Sequence, residues 1–213
     1  MHFNCTKVSF INYGPLEGDD LLPPGNDQSF LVSLNFGLPF HGRVFNSCYI
    51  SINGHISFDS NLSSRYFCAR DYTHAISPLC YDLYTLKGGN IYYKQIANLT
   101  TLNQIGDEIN SLLSLNKTFS PNNAFVVTYD TVRASPGNSN KNVSFQIILS
   151  TDGIQSYATL NYGNLDFQPS ESAIQYNLLG YFNKYFFTNV KLSSNVNLPG
   201  KWIFNLLAYG KYE

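Results

Sequence analysis

The chain has 213 residues, enough for one large β domain whose core needs no covalent staples. Charged residues are 13% of the total, against roughly 25% in ordinary soluble domains, and the net charge is −1 with no basic run. This excludes a phosphate-gripping nucleic-acid surface, and no apolar run reaches the roughly 18 residues of a membrane span. Aromatics make up 15%, nearly all Tyr and Phe, beside a single Met. Low charge with abundant Tyr, Asn, Ser and Thr reads as an extracellular β protein. Met1-His2-Phe3-Asn4 has no charged-then-apolar leader pattern, so a secreted parent is expected to be represented here by a mature or excised piece.

In chain order, residues 7–13 read as a short first strand. Residues 14–27 form a Gly/Pro/Asp loop with an acidic cluster at Asp19, Asp20 and Asp27. The cluster offers oxygen ligands for Ca²⁺. Its spacing fits no EF-hand, so a solvated turn with self-bonded Asp and Asn side chains is the preferred reading. Phe30, Val32, Leu34 and Phe36 alternate as a strand.

Residues 44–58 then alternate on both sides of Asn53-Gly54, the strongest short hairpin signal. A two-residue loop pairs Ser51 with Ile56 and Tyr49 with Phe58. A three-residue loop ending at His55 pairs Ile52 with Ile56 instead. The first is expected, because Asn-Gly suits a type I′ turn.

Residues 59–75 are polar and irregular. Residues 75–82 read as a buried strand with Pro78 at its start or edge. Gly88-Gly89-Asn90 turns the chain into Ile91-Tyr92-Tyr93. The only helix candidate is roughly 101–115, where Leu102, Ile105, Ile109, Leu112 and Leu113 fall on one face. Strands follow over 124–130, 143–149 and 154–162, the last two joined at Asp152-Gly153. Further strands are expected at 178–182, 185–192 and, after Pro199-Gly200, 201–207. About ten antiparallel strands and one helix predict a mainly β protein, a β-sandwich with the helix packed on it, in a single domain over 1–213.

The cysteines are Cys5, Cys48, Cys68 and Cys80, with no C-x-x-C and no zinc spacing. Four cysteines allow three pairings. The expected one joins Cys68 to Cys80 across a short loop and Cys5 to Cys48 between the first strand and the hairpin, with four buried thiols as the alternative. Asn4, Asn61, Asn98, Asn116 and Asn142 head N-x-S/T sequons, consistent with a glycosylated, secreted chain.

No pattern supports catalysis or a cofactor. His2, His41, His55 and His74 form no H-x-x-x-H. His74, Ser77 and Asp82 can be assembled into a triad on paper, but a triad is defined by geometry. The many Tyr offer an amphipathic surface for sugar or protein, or simply fill a sandwich.

Several segments together resemble the nidogen-like (NIDO) domain, of the alpha-tectorin and nidogen type. Tyr13-Gly14-Pro15 through Gly25-Asn26-Asp27 is similar to its opening. Pro39-Phe40-His41-Gly42 and the residues from Tyr49 to Phe58 are similar to its core. Ile76 to Asp82, Phe125 to Val132, Phe145 to Gly153 and Asn195 to Phe204 resemble later family segments, in order, from about residue 10 to 207. The resemblance implies a non-enzymatic extracellular module of a larger mosaic protein, serving cell–matrix adhesion or matrix assembly. It implies an extracellular or cell-surface protein partner, a second copy included, with no nucleic acid and no membrane insertion by this segment. Cys80 stands where the family has Trp, which supports its recruitment into a disulfide. Tyr84 replaces a frequent second acid, which weakens a metal at that corner. A calcium-assisted, lectin-like module using Asp19, Asp20 and Asp27 is the alternative.

Overall fold

The computed structural model describes residues 8–59, 61, 74–79, 81–134, 141–166, 172–178, 181–187 and 189–207. Two antiparallel sheets hold the strands. The first has seven: β1 (Asp20–Leu21), β7 (Asn90–Ile96), β8 (Asn123–Ala134), β9 (Asn142–Thr151), β10 (Ser156–Leu165) and β13 (Lys201–Asn205) in spatial order, with β6 (Leu83–Tyr84) beside β8. The second has six: β12 (Tyr181–Phe187), β11 (Ser172–Leu178), β5 (Ala75–Ser77), β4 (His55–Ser57), β3 (Arg43–Ser51) and β2 (Ser29–Phe40). The expected β-sandwich with one packed helix is what the chain forms.

The side-chain period of two explains the core. Phe125, Val127 and Tyr129 of β8, with Phe145, Ile147 and Leu149 of β9, face Phe40, Cys48, Ile50 and Ile56 of the second sheet. The residues between them, Ala124, Val126 and Ile148, lie in a second core beneath helix α1 (Leu99–Leu113). The central strands are thus apolar on both faces because both faces are covered. Two buried tyrosines tie the sheets: Tyr129 Oη donates to Ser51 O at 2.6 Å and Tyr162 Oη to Pro78 O at 2.9 Å.

The helix starts two residues before the expected span because Asn98 caps it, its Oδ1 accepting from Thr101 N at 2.9 Å. Leu102, Ile105 and Ile109 bury one face, each contributing about 1.5–3 kcal/mol by transfer from water. Past the helix end, Asn110 grips the returning chain, with Phe119 N donating to its Oδ1 at 2.8 Å and its Nδ2 donating to Phe119 O at 2.9 Å.

Four expectations are corrected. Residues 8–13 form no strand, since the Ile11 main chain is held by a side chain: Ile11 N donates to Gln146 Oε1 and Gln146 Nε2 to Ile11 O. The hairpin takes neither register considered. Ser51 pairs with His55 and Ile50 with Ile56, across a loop of Ile52, Asn53 and Gly54. The loop is interior, with Ile52 and Asn53 both buried, so tertiary bonds choose the register. Gly54 sits at φ 85, where a Cβ would lie 2.9 Å from Leu79 O. Pro78 follows β5 rather than opening it. Finally, the strands expected at 178–182 and 185–192 are shifted: β11 ends at Leu178, β12 runs Tyr181–Phe187, the two pair as a hairpin, and residues 190–192 form a turn.

Candidate functional site

The triad suggested by His74, Ser77 and Asp82 is not built. The His74 ring Nδ1–H and its backbone N–H donate to Asp59 Oδ2, at 2.6 and 2.8 Å, not to Asp82. His74 Nε2 and Ser77 Oγ are each buried with no hydrogen-bond partner among the described residues. Phe40 and Phe45 seal the imidazole, with ring centroids 5.1 and 5.0 Å away. Asp59, which sequence reading missed, also pairs with Arg43. Burial opposes ionisation of Asp59, but the His74 bonds and the fields of His74 and Arg43 hold its carboxyl below the usual range. Nearby His41 is 1% exposed. Burial, then the His74 charge, pushes its pKa down to about 4.

The acidic loop is dispersed by its own partners. Asp19 Oδ2 accepts from Lys94 Nζ at 2.8 Å, Asp27 Oδ1 accepts from Asn53 Nδ2 at 2.7 Å, and Asp20 is exposed in β1. No group of three His, Cys, Asp or Glu side chains able to hold a metal occurs among the described residues. Cys48 is sealed in the inter-sheet core at 0% exposure and has no disulfide partner among the described residues, the expected partner Cys5 lying outside them, and burial pushes its thiol pKa well up. Cys5, Cys68 and Cys80 lie outside the described residues, as does Asn4. Asn61, Asn98 and Asn116 are exposed, and Asn142 is half-buried at the start of β9.

A broad concavity lies elsewhere, on the outer face of the seven-stranded sheet. A cavity of about 710 Å³ opens between α1, residues 9–12, Glu17-Gly18 and the end of β7, with Ile148 and Asn161 as its floor. The strand pattern explains the polar floor. In β10, Ala158, Leu160 and Tyr162 point into the sandwich, so Asn161 points outward. One helix face, Asn98, Thr101, Ile105 and Glu108, forms a wall at three- and four-residue spacing. Two charges there are held: Lys94 Nζ also donates to Asn12 O and Glu17 O, and Glu108 Oε1 accepts from Lys201 Nζ at 2.5 Å. The sequence signals Asn161 only as one of several polar positions in its strand, beside Ser156, Thr159 and Asn164, and nothing local signals the Lys94–Asp19 pair across 75 residues.

Comparison with known proteins bears on the family. The family model of the nidogen-like domain matches residues 46–207. Alpha-tectorin of Gallus gallus is 27% identical over 90% of the chain, and nidogen-2 of Mus musculus is 27% identical over 91%. Dendrite extension defective protein 1 of Caenorhabditis elegans is 22% identical over 92%. The chain spans only 10%, 17% and 18% of these relatives' lengths, respectively. No solved structure matches it significantly. With the motifs in order and the sandwich formed, the chain belongs to the nidogen-like (NIDO) domain family, extracellular modules of matrix proteins.

Proposed function

We propose that the chain is a single, non-enzymatic domain that serves adhesion or matrix assembly within a longer protein, offering a contact surface to an extracellular or cell-surface protein, a second copy included. The family match over residues 46–207 carries this reading. The geometry supports it: the one sequence-suggested triad is dismantled by the His74–Asp59 pair. Cores drawing on residues from Ile11 to Leu206 support a single unit. We also propose a Cys68–Cys80 disulfide and glycans on the exposed sequons, both read by peptide mass mapping of the secreted chain.

The test is light scattering of the purified glycosylated chain over a concentration series, with and without calcium, beside retention on cell-derived matrix. A mass that rises with concentration makes self-assembly the mechanism. A monomer retained on matrix points to a different protein partner. A monomer retained no better than an unrelated glycoprotein overturns the reading.

A further inference from the structure

The polar cavity beside α1 has no role in a pure contact module, and its lining bears on what could occupy it. Its volume of about 710 Å³ falls within the roughly 300–1,000 Å³ of small-ligand sites. Two of its charged groups are held in ion pairs, Lys94 with Asp19 and Glu108 with Lys201. Counting Glu17 with those two pairs leaves a net negative charge, so an anionic ligand is disfavoured. Neutral groups remain: Thr101, Gln104 and Asn161. Asn161 is 1% exposed, and its Oδ1 is buried with no hydrogen-bond partner among the described residues. A buried amide oxygen left unpaired is costly and asks for an O–H or N–H from an occupant. Between the polar groups stand the apolar faces of Phe10, Ile105 and Ile148. Hydroxyl and amide edges alternating with C–H faces are the chemistry of an N-acetylhexosamine ring.

An attachment point for such a ring stands in the same wall. Asn98 heads the sequon Asn98-Leu99-Thr100 and is exposed at the helix start. Its Oδ1 is occupied by the cap bond to Thr101 N, which leaves Nδ2 for a glycan. We propose that the cavity is a saccharide site whose occupant in the secreted protein is the first sugars of a glycan carried by Asn98, folded back along the helix. Attachment replaces one N–H of Nδ2 by a bond to C1 of N-acetylglucosamine. A lipid-pyrophosphate-linked oligosaccharide is the donor, and the lipid pyrophosphate and a proton leave. The proposal rests on passage of the chain through the secretory route. Its failure leaves the matrix reading intact, because light scattering and matrix retention do not depend on where one glycan lies.

Thr100→Ala is the decisive variant, because it removes the sequon and keeps the Asn98 cap. In the chain secreted from animal cells it should lower the Tm by about 3 °C, the scale of one lost net interaction in a protein of this size. In the same chain made without glycosylation it should change nothing. Under native conditions, enzymatic release of the Asn98 glycan should be about tenfold slower than at Asn116, the factor that one or two net hydrogen bonds give. Asn161→Ala should erase that difference. Free chitobiose, followed by NMR, should bind the unglycosylated chain and not the glycosylated one. An unoccupied Asn98 overturns the proposal. So does release as fast as at Asn116 with chitobiose binding both forms alike, which assigns the cavity to a partner's glycan. Equal release rates with no chitobiose binding also overturn it and leave a water-filled cavity.

Discussion

At the scale of single residues, the stabilising polar groups are buried and shared between distant segments. Asn53 is 1% exposed; its Oδ1 accepts from Leu83 N at 2.9 Å and its Nδ2 donates to Asp27 Oδ1. Asn53→Ala strands the Leu83 N–H in the interior. It is expected to cost about 2–3 kcal/mol in chemical denaturation, more than an exposed hairpin tip would lose. His41 and Asp59 contribute an acid response. His41 has a folded pKa of about 4, below the ordinary 6.5, so the unfolded chain binds the proton first. Stability therefore falls as pH drops below 6.5, by about 2 kcal/mol on reaching about pH 5, and levels off below the folded value. The lowered Asp59 pKa acts in the same direction at lower pH, its contribution being lost as the carboxylate protonates. His41 occupies a left-handed conformation at φ 40, which Asn tolerates. His41→Asn should flatten the slope between pH 6.5 and 5 in urea midpoints, and an unchanged slope would place the titration elsewhere.

Elements show where local rules yield to packing. Gly106 lies inside α1, where Ala is ordinarily favoured by about 1 kcal/mol. Here a Cβ would lie 2.8 Å from Pro121 Cδ and 3.1 Å from Phe119 O. Gly106→Ala is expected to destabilise, by about 1–3 kcal/mol as in overpacked cores, and a raised Tm would show that the 119–121 segment gives way freely. The same competition sets what was legible beforehand. The helix face, the alternation in β8 to β10 and the Asp152-Gly153 turn are local periodicities, and they were readable. Asn53-Gly54 misled, because its side chain is committed to Leu83 and Asp27, contacts 30 and 26 residues away. Residues 8–13 looked like a strand, yet what holds them is the side chain of Gln146, 135 residues from Ile11. The cavity was invisible for the same reason: Asn98 reads as a sequon and Asn161 as a strand polar, and only the fold brings them together.

For the molecule as a whole, the two sheets are finished differently. Helix α1 covers the outer face of the seven-stranded sheet, whereas β2 forms a twelve-residue edge of the other. A long open edge invites strand addition and aggregation. Here its register with β3 shifts between Ser33 and Leu38, and the Gln95 side chain bonds Ser33 O and Asn35 N at 3.3 and 2.6 Å. With main-chain groups so occupied, a partner is expected to meet side chains rather than extend the sheet. Leu31 on β2 and Val44 on β3 are 61% and 64% exposed, aliphatic side chains open to a partner. The double variant Leu31→Asp/Val44→Asp should cut matrix retention or self-association about tenfold or more, as expected when an interface anchor is replaced by a charge. Its Tm should stay within about 2 °C of the parent, since exposed substitutions rarely exceed 0.5 kcal/mol. Gln95→Ala should do the opposite, freeing the edge and raising aggregation on mild heating. If the charged pair leaves retention intact while Gln95→Ala strengthens it, the contact is strand addition at β2, and Gln95 is the group that limits it.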